Sequence, residues 1–240
     1  MSKNLKTFLG ISYLIILIVF LYFIFKSLDI SKLNNFSYYK ELQKDLSNFV
    51  SASIITNLIY FFIFAVIWVA LLGFGAPLLI ISGIFFGQWI GTLISVISIS
   101  VGALILYSIG NFFFRDLVRN ILEQKFYKYI ILFKKNEFYY FFIYRLIGGL
   151  GVPFGLQNLI PILFGMGKMN YFLSSFFGFI PGFFIFNSIG AGLNSYVEQS
   201  DNFNLFDFIL NPVIFSPILM FVCLAIISLI IKKKFFNDKN

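Results

Sequence analysis

The sequence predicts an all-α polytopic membrane protein. The expected architecture is an inverted repeat of two re-entrant helical hairpins, each followed by a spanning helix, plus N- and C-terminal transmembrane helices. Three observations carry this. The 240 residues are 60% hydrophobic and 12% charged, with 36 Phe; a soluble domain carries about 25% charged residues. Gly73-Phe74-Gly75-Ala76-Pro77 is matched by Gly149-Leu150-Gly151-Val152-Pro153, and the same offset (149 − 73 = 76) pairs Gly91 with Gly167 and Gly102 with Gly178. Gly and Pro break helices, and paired interruptions in apolar segments point to a transport site. Finally, the basic residues gather in a few polar segments, the pattern that sets membrane orientation.

The elements follow in order. Residues 7–25 are uncharged between Lys6 and Lys26. They are long enough to span, since roughly twenty apolar residues suffice. A signal peptide has a shorter apolar core and a small-residue cleavage site, so a retained helix is expected. Residues 26–48 are polar and read as a surface loop with a short interfacial helix. Residues 49–114 hold no charge at all. The reading that satisfies the backbone is a helix over 50–72, a break at 73–77, a short helix to Gly87, a turn near Gly91 and a spanning helix over 92–114. Pro77 lacks a backbone donor and disfavours helix at Ala76. Irregular backbone at membrane depth is tolerated only when buried in protein or facing water, so another part of the fold must cover the break.

Residues 115–135 are basic, with Arg115, Arg119, Lys125, Lys128, Lys134 and Lys135 against Asp116 and Glu123. They predict an amphipathic helix lying on a membrane surface. The pattern then repeats: helix over 138–147, break at 148–153, short arm over 154–166, spanning helix over 170–193. An acidic segment, 195–211, leads to a last spanning helix, 212–231, stopped by Lys232-Lys233-Lys234. The chain thus divides into 1–48, a membrane domain over 49–193 (repeat one 49–114, amphipathic segment 115–137, repeat two 138–193) and 194–240.

The positive-inside rule puts residues 115–135 and the C-terminal tail in the cytoplasm. Counting crossings back from the tail, the second hairpin enters and leaves on the inner side and the first on the outer side. This places the segment holding Lys26, Lys32, Lys40 and Lys44 outside, with Asp29, Glu41 and Asp45 only partly offsetting it.

Several chemistries are excluded. There is no His, and Cys223 stands alone, which removes disulfides, His/Cys zinc sites and a Cys–His nucleophile. No Walker-type loop or buried carboxylate pair appears, so neither an enzyme nor a bound cofactor or metal is expected. The net charge of +8 reads as cytoplasmic loops and not as nucleic-acid binding.

Arg145 is the sharpest single residue, a charge inside an apolar stretch. Burying it at mid-membrane costs at least about 2.5–3.5 kcal/mol. It reads either as a clamp whose planar fork holds phosphate oxygens or as a side chain that snorkels back to the surface. Gln157 and Asn158 follow Pro153 and can satisfy open carbonyls or bond a headgroup. Pro181 with Gly178 and Gly182 is expected to kink its helix. Gly83, Gly87 and Gly91 recur on one helical face and permit close helix contact. Gly75, Pro77, Gly151 and Pro153 form the breaks that would line a path together with Arg145, Gln157, Asn158 and Pro181.

Pro77-x5-Gly83-x3-Gly87-x3-Gly91, a helix ending in Phe114-Arg115, Arg145 with Pro153-Phe154 and Asn158, then Gly178 and Pro181, resemble the VTT domain. This is the DedA-like superfamily, also called SNARE-associated Golgi proteins; the resemblance covers residues 66–193. It implies two re-entrant hairpins facing each other and movement of lipids between leaflets. Known activities are phospholipid scrambling in eukaryotes and recycling of polyprenyl-phosphate or phospholipid carriers in bacteria. The DedA branch has acidic residues in its first hairpin linked to proton coupling, whereas nothing acidic lies between Asp45 and Asp116 here. The glycine-rich spacer between Arg145 and Pro153 is also longer than the family's. The chain is therefore closer to the VTT branch.

The expected function is passive movement of a phospholipid or polyprenyl-phosphate-type lipid, with membrane lipids and their anionic phosphate headgroups as partners. A solute or ion carrier and a non-transporting membrane organiser are the alternatives. The expected location is a bacterial inner membrane with the C-terminus cytoplasmic. The sequence specifies no oligomeric state.

Overall fold

The structure, a computed structural model, describes residues 53–72, 75–199 and 204–219, with isolated positions 11, 12, 15, 18, 19, 22, 41, 44, 222 and 223. Those positions apart, the expected N-terminal spanning helix, the polar segment 26–48 and the basic C-terminal tail lie outside the described residues. Every regular element among the described residues is helical.

Helix α1 (Ile54–Leu72) has 19 residues. At about 1.5 Å per residue that is roughly 28 Å, close to the hydrocarbon thickness of a bilayer. Asn57, Phe61, Ala65 and Val69 form a buried stripe every fourth residue, while Ile55, Ile59, Ile63 and Ile67 form an exposed one. Residues four apart share a helix face, so one side of α1 packs on protein and the other is apolar and open, as lipid requires.

The expected first break is present. α1 ends at Leu72 and α2 (Ala76–Lys135) begins after it, with Gly75 as N-cap and Pro77 in the first turn. Pro is tolerated there because a first-turn N–H has no partner within its helix. The turn expected near Gly91 falls instead at Gly87, whose φ of 72° and ψ of 179° interrupt α2. Gly91 stays helical and serves close packing instead, since a Cβ there would lie 2.6 Å from Asn187 Oδ1 and 2.8 Å from Ser82 O.

The basic segment 115–135 is no separate helix, as the sequence suggested, but the continuation of α2. Tyr107 Oη donates to Met166 O at 2.6 Å, and Lys134 Nζ donates to Gly165 O at 2.6 Å. The two donors are 27 residues apart (134 − 107), about 40 Å along a straight helix, yet they reach adjacent carbonyls. α2 therefore bends back between them, which also stacks Phe133 on Phe164 at 4.4 Å.

The second half repeats the order of the first with shorter pieces. Helix α3 (Glu137–Leu146) is followed by a 3-10 turn at Gly148–Gly151, then by α4 (Phe154–Leu159) and α5 (Pro161–Phe164). Gly148, Gly149 and Gly151 all have positive φ, a region that side chains with a Cβ avoid. Gly165, in the left-handed region, ends α5 before α6 (Lys168–Gln199) begins. α3 has 10 residues, about 15 Å, which is half of what a crossing needs. α6 continues through Pro181. Helix α7 (Leu205–Ile209) and a helical stretch over 212–219 follow, the latter seating Ile214 against Gly192.

Contacts recur at the offset of 76. A Cβ on Gly102 would lie 2.9 Å from both Val66 O and Val69 Cβ; one on Gly178 would lie 3.1 Å from Phe142 O and 2.5 Å from Arg145 Cβ. The pair Ser82 Oγ–Ser95 Oγ, 2.7 Å apart, becomes Tyr171 Oη donating to Asn158 Oδ1 at 3.2 Å. Ser98 donates to Ile94 O, and Ser174 to Asn170 O. In each case adding 76 to both residues of the first contact gives the second.

Candidate functional site

Arg145 lies in the last turn of α3, on the same face as Phe141, and is only 3% exposed. Gly178 makes this possible, because the α6 backbone approaches where a side chain would collide with Arg145 Cβ. The guanidinium is held inward, not snorkelled to a surface. Nε donates to Ser175 Oγ at 3.3 Å and Nη1 to Gln157 Oε1 at 3.2 Å. Nη2 donates to Asn158 Oδ1 at 2.6 Å and to Tyr171 Oη at 3.0 Å. Phe141 and Phe179 place their rings 4.6 and 4.7 Å from its central carbon, within cation–π range.

None of these partners is a carboxylate. A guanidinium does not give up its proton in proteins, so a full positive charge sits in the fold, solvated by neutral dipoles and aromatic faces. Hydrogen bonds and π faces lower the cost of burial without neutralising the charge.

Gln157 joins the charge to the second break. Its Oε1 accepts from Arg145, while Nε2 donates to Val152 O at 2.6 Å and Gly148 O at 3.3 Å. The amide thus satisfies carbonyls that the break leaves open and fixes the clamp at once. Gly149 is required twice over: its φ is positive, and a Cβ would lie 2.1 Å from the Gln157 amide carbon. Asn158 is fully buried, and its Nδ2 has no hydrogen-bond partner among the described residues. Tyr171 stacks on Tyr107 with ring centres 4.5 Å apart, which ties the cluster to α2.

A cavity of about 460 Å³ runs beside the guanidinium. Gly75 and Ala76 from the first break form one wall, Ile147, Gly148 and Gln157 from the second break another, and Phe179 and Phe183 of α6 a third. Of the sequence-predicted residues it brings together Gly75, Arg145 and Gln157. Asn158 lies behind Arg145. Pro77, Gly151 and Pro153 shape the breaks without lining the cavity. Pro181 lines a separate apolar cavity of about 450 Å³ with Trp89, Leu93 and Pro217. Sequence reasoning missed Phe141, Tyr171, Ser175 and Phe179. Tyr171, Ser175 and Gly178 recur at i, i+4 and i+7 on α6, a polar and small face that was a readable signal.

At the corner between α2 and α3, Glu137 joins α2, α3 and the start of α6. It accepts from Lys134 Nζ at 2.5 Å, from the Gly167 N–H at 2.9 Å and from Asn170 Nδ2 at 3.0 Å. Burial pushes its pKa up, but the bonds from Lys134, Asn170 and Gly167 outweigh this and hold it below the usual value.

The sequence profile of the VTT domain matches residues 73–192, half of the 240-residue chain and the stretch that carries both breaks and the Arg145 cluster. The chain belongs to the VTT-domain family. This is the domain of the DedA/SNARE-associated Golgi proteins. No curated protein and no solved structure matches the chain. Three helical segments of this VTT-domain protein, Ile54–Leu71, Ala76–Asp116 and Lys168–Gln199, are long and apolar enough to cross a bilayer. It is an integral membrane protein of the DedA type.

Proposed function

We propose that this VTT-domain protein moves phosphate-bearing lipids between leaflets without an energy source. One observation carries the reading: a buried guanidinium with only neutral partners borders a cavity shared by two helix breaks. Arg145 has no counter-anion among the described residues, and a lipid phosphate supplies one, meeting the Nη1 N–H that the bonds to Ser175, Gln157, Asn158 and Tyr171 leave over. The headgroup passes along the breaks while its tails remain in lipid.

The architecture proposed with it is an inverted repeat of two re-entrant hairpins. It is supported by the contacts that recur at the 76-residue offset and by α3, which is too short to cross. Passive transport is favoured because residues 49–114 hold no acid for proton coupling. The location in keeping with this is a bacterial inner membrane, with the basic segment 115–135 on the cytoplasmic face.

The test uses purified full-length protein in liposomes that carry a fluorescent phospholipid, with a membrane-impermeant quencher outside. The protein should expose inner-leaflet lipid to the quencher, and Arg145→Ala should slow exposure more than tenfold. A rate equal to that of empty liposomes removes the proposal. Flux of a small anion without lipid exposure would favour a solute carrier.

A further inference from the structure

The offset of 76 makes a demand on two further asparagines. In the first half Ser82 Oγ donates to Asn187 Oδ1 and ties the arm after the first break to α6. Adding 76 to Ser82 gives Asn158; subtracting 76 from Asn187 gives Asn111. If the halves are related by a two-fold exchange, Asn158 should donate to Asn111 Oδ1 and tie the second arm to α2. Asn158 Nδ2 and Asn111 Oδ1 are two of the four buried side-chain polar atoms that lack a hydrogen-bond partner among the described residues. One is a donor and the other an acceptor. Their chain neighbours already touch: Leu159 Cδ2 lies 2.5 Å from where a Cβ of Gly110 would stand.

We infer that Ser82–Asn187 and Asn158–Asn111 are two related latches, the first closed and the second open in this structure, and that exchanging them turns the Arg145 cavity from one membrane face to the other. The inference rests on the inverted-repeat reading above and gives Asn111 a positioning role. A buried donor and acceptor left unmade are costly, so a state that pairs them is favoured to that extent. The sequence also explains which latch is open. Gly83 lets the Asn187 backbone come within 2.1 Å of where a Cβ would be. The position 76 residues on is Leu159, whose side chain stands against Gly110 and holds the second arm off α2. Closing the second latch requires Leu159 to swing out of that contact, which turns the arm carrying Gln157 and Asn158.

Cross-linking tests this independently of lipid movement. The chain's single cysteine, Cys223, is first changed to Ser. In that background the Ser82→Cys/Asn187→Cys pair and the Asn111→Cys/Asn158→Cys pair are each expected to bridge in membranes. A protein carrying all four cysteines should form one bridge or the other, never both. Failure of the second pair to bridge while the first does, or closure of both in one molecule, overturns the latch. If bridges alternate but the wild type exchanges no lipid, the latch stands and the lipid reading falls. Should Asn158→Cys fail to fold, Asn111→Leu carries the test, since it leaves every Arg145 partner in place. It should leave Tm equal or higher, because it removes an unpaired acceptor, yet slow lipid exchange at least fivefold. Exchange at the wild-type rate in that variant would overturn the role of Asn111.

Discussion

Val69 and Arg145 hold the same place in the two halves of the chain. Each turns its Cβ toward a glycine 33 residues further on, Val69 toward Gly102 and Arg145 toward Gly178. Val69 is fully buried in a greasy helix seam, and nothing polar is needed around it. At the matching position the chain places a charge, and four side chains converge to solvate it. The contact with glycine is shared; the chemistry belongs to one half. This asymmetry separates what holds the fold together from what acts on a ligand.

Arg145→Met keeps the stem and removes the charge. Replacing buried charged groups with apolar residues of similar volume is often neutral or stabilising. Tyr171 and Asn158 still bond each other, so only Ser175 Oγ and Gln157 Oε1 lose their donor, about 1–3 kcal/mol for each. This is offset by the desolvation cost of the uncompensated charge, which goes with it. We expect a folded protein with Tm within a few degrees of wild type and lipid exchange slowed more than tenfold. Arg145→Lys should be almost as slow, because an ammonium cannot present a planar fork. Normal exchange in Arg145→Met would make the arginine a structural residue only.

Gly83→Ala and Gly87→Ala should separate close contact from backbone freedom. A Cβ on Gly83 would sit 2.1 Å from Asn187 O, which is backbone and cannot move aside cheaply, whereas one on Gly87 meets nothing within 4 Å. Gly83→Ala should therefore cost about 3 kcal/mol or more by overpacking. Gly87→Ala pays only for its dihedrals, about 1–3 kcal/mol for a region that is nearly glycine-only. Thermal unfolding in detergent should rank Gly83→Ala below Gly87→Ala.

That ranking shows where sequence reading ran out. Both breaks were legible because Gly and Pro act locally, and Arg145 because a charge in an apolar run is costly wherever it lies. Gly83, Gly87 and Gly91 looked alike at one spacing, yet two of them admit a neighbouring helix and one turns the chain. The difference is set by α6, more than ninety residues away. Tyr171 and Ser175 share a readable face with Gly178, but that this face meets Arg145 on α3 is fixed by packing, not by local pattern. The bend in α2 was hidden because it follows from two contacts with the Gly165–Met166 turn.

Glu137 gives a pH dependence whose sign follows from its depressed pKa. The ordinary value is 4.5, and the folded carboxylate titrates below that. Its stabilisation is thus complete above pH 4.5 and lost as pH falls through the folded value. Glu137→Gln should cost about 1–3 kcal/mol at pH 7. Oε1 accepts from Lys134 and Oε2 from Gly167 and Asn170, and an amide has one oxygen only, so the donors on the other side are left unpaired. The substitution should also flatten the fall in Tm as the pH drops below 4.5. A variant that loses stability in acid as steeply as wild type would show that Glu137 does not hold the α2–α3 corner to the start of α6.

Asn158→Asp puts the counter-charge that Arg145 lacks directly onto it. Asn158 Oδ1 already accepts from Arg145 Nη2 and Tyr171 Oη, and Nδ2 bonds to nothing among the described residues. The substitution therefore forfeits no formed hydrogen bond and supplies a second acceptor. Burying a new carboxylate is costly in isolation, but here the positive charge is already in place and the pair neutralises it. Stability should rise, by about 1 kcal/mol on balance, visible as a higher Tm. Lipid exchange should fall at least tenfold, because the aspartate occupies the charge that a phosphate would otherwise meet. Asn158→Asp also removes the Nδ2 donor proposed to meet Asn111. A clamp serving only the fold would therefore gain stability and lose no more exchange than Asn111→Leu loses, so Tm and rate of the two variants and their double decide whether the Arg145 charge is reserved for a ligand.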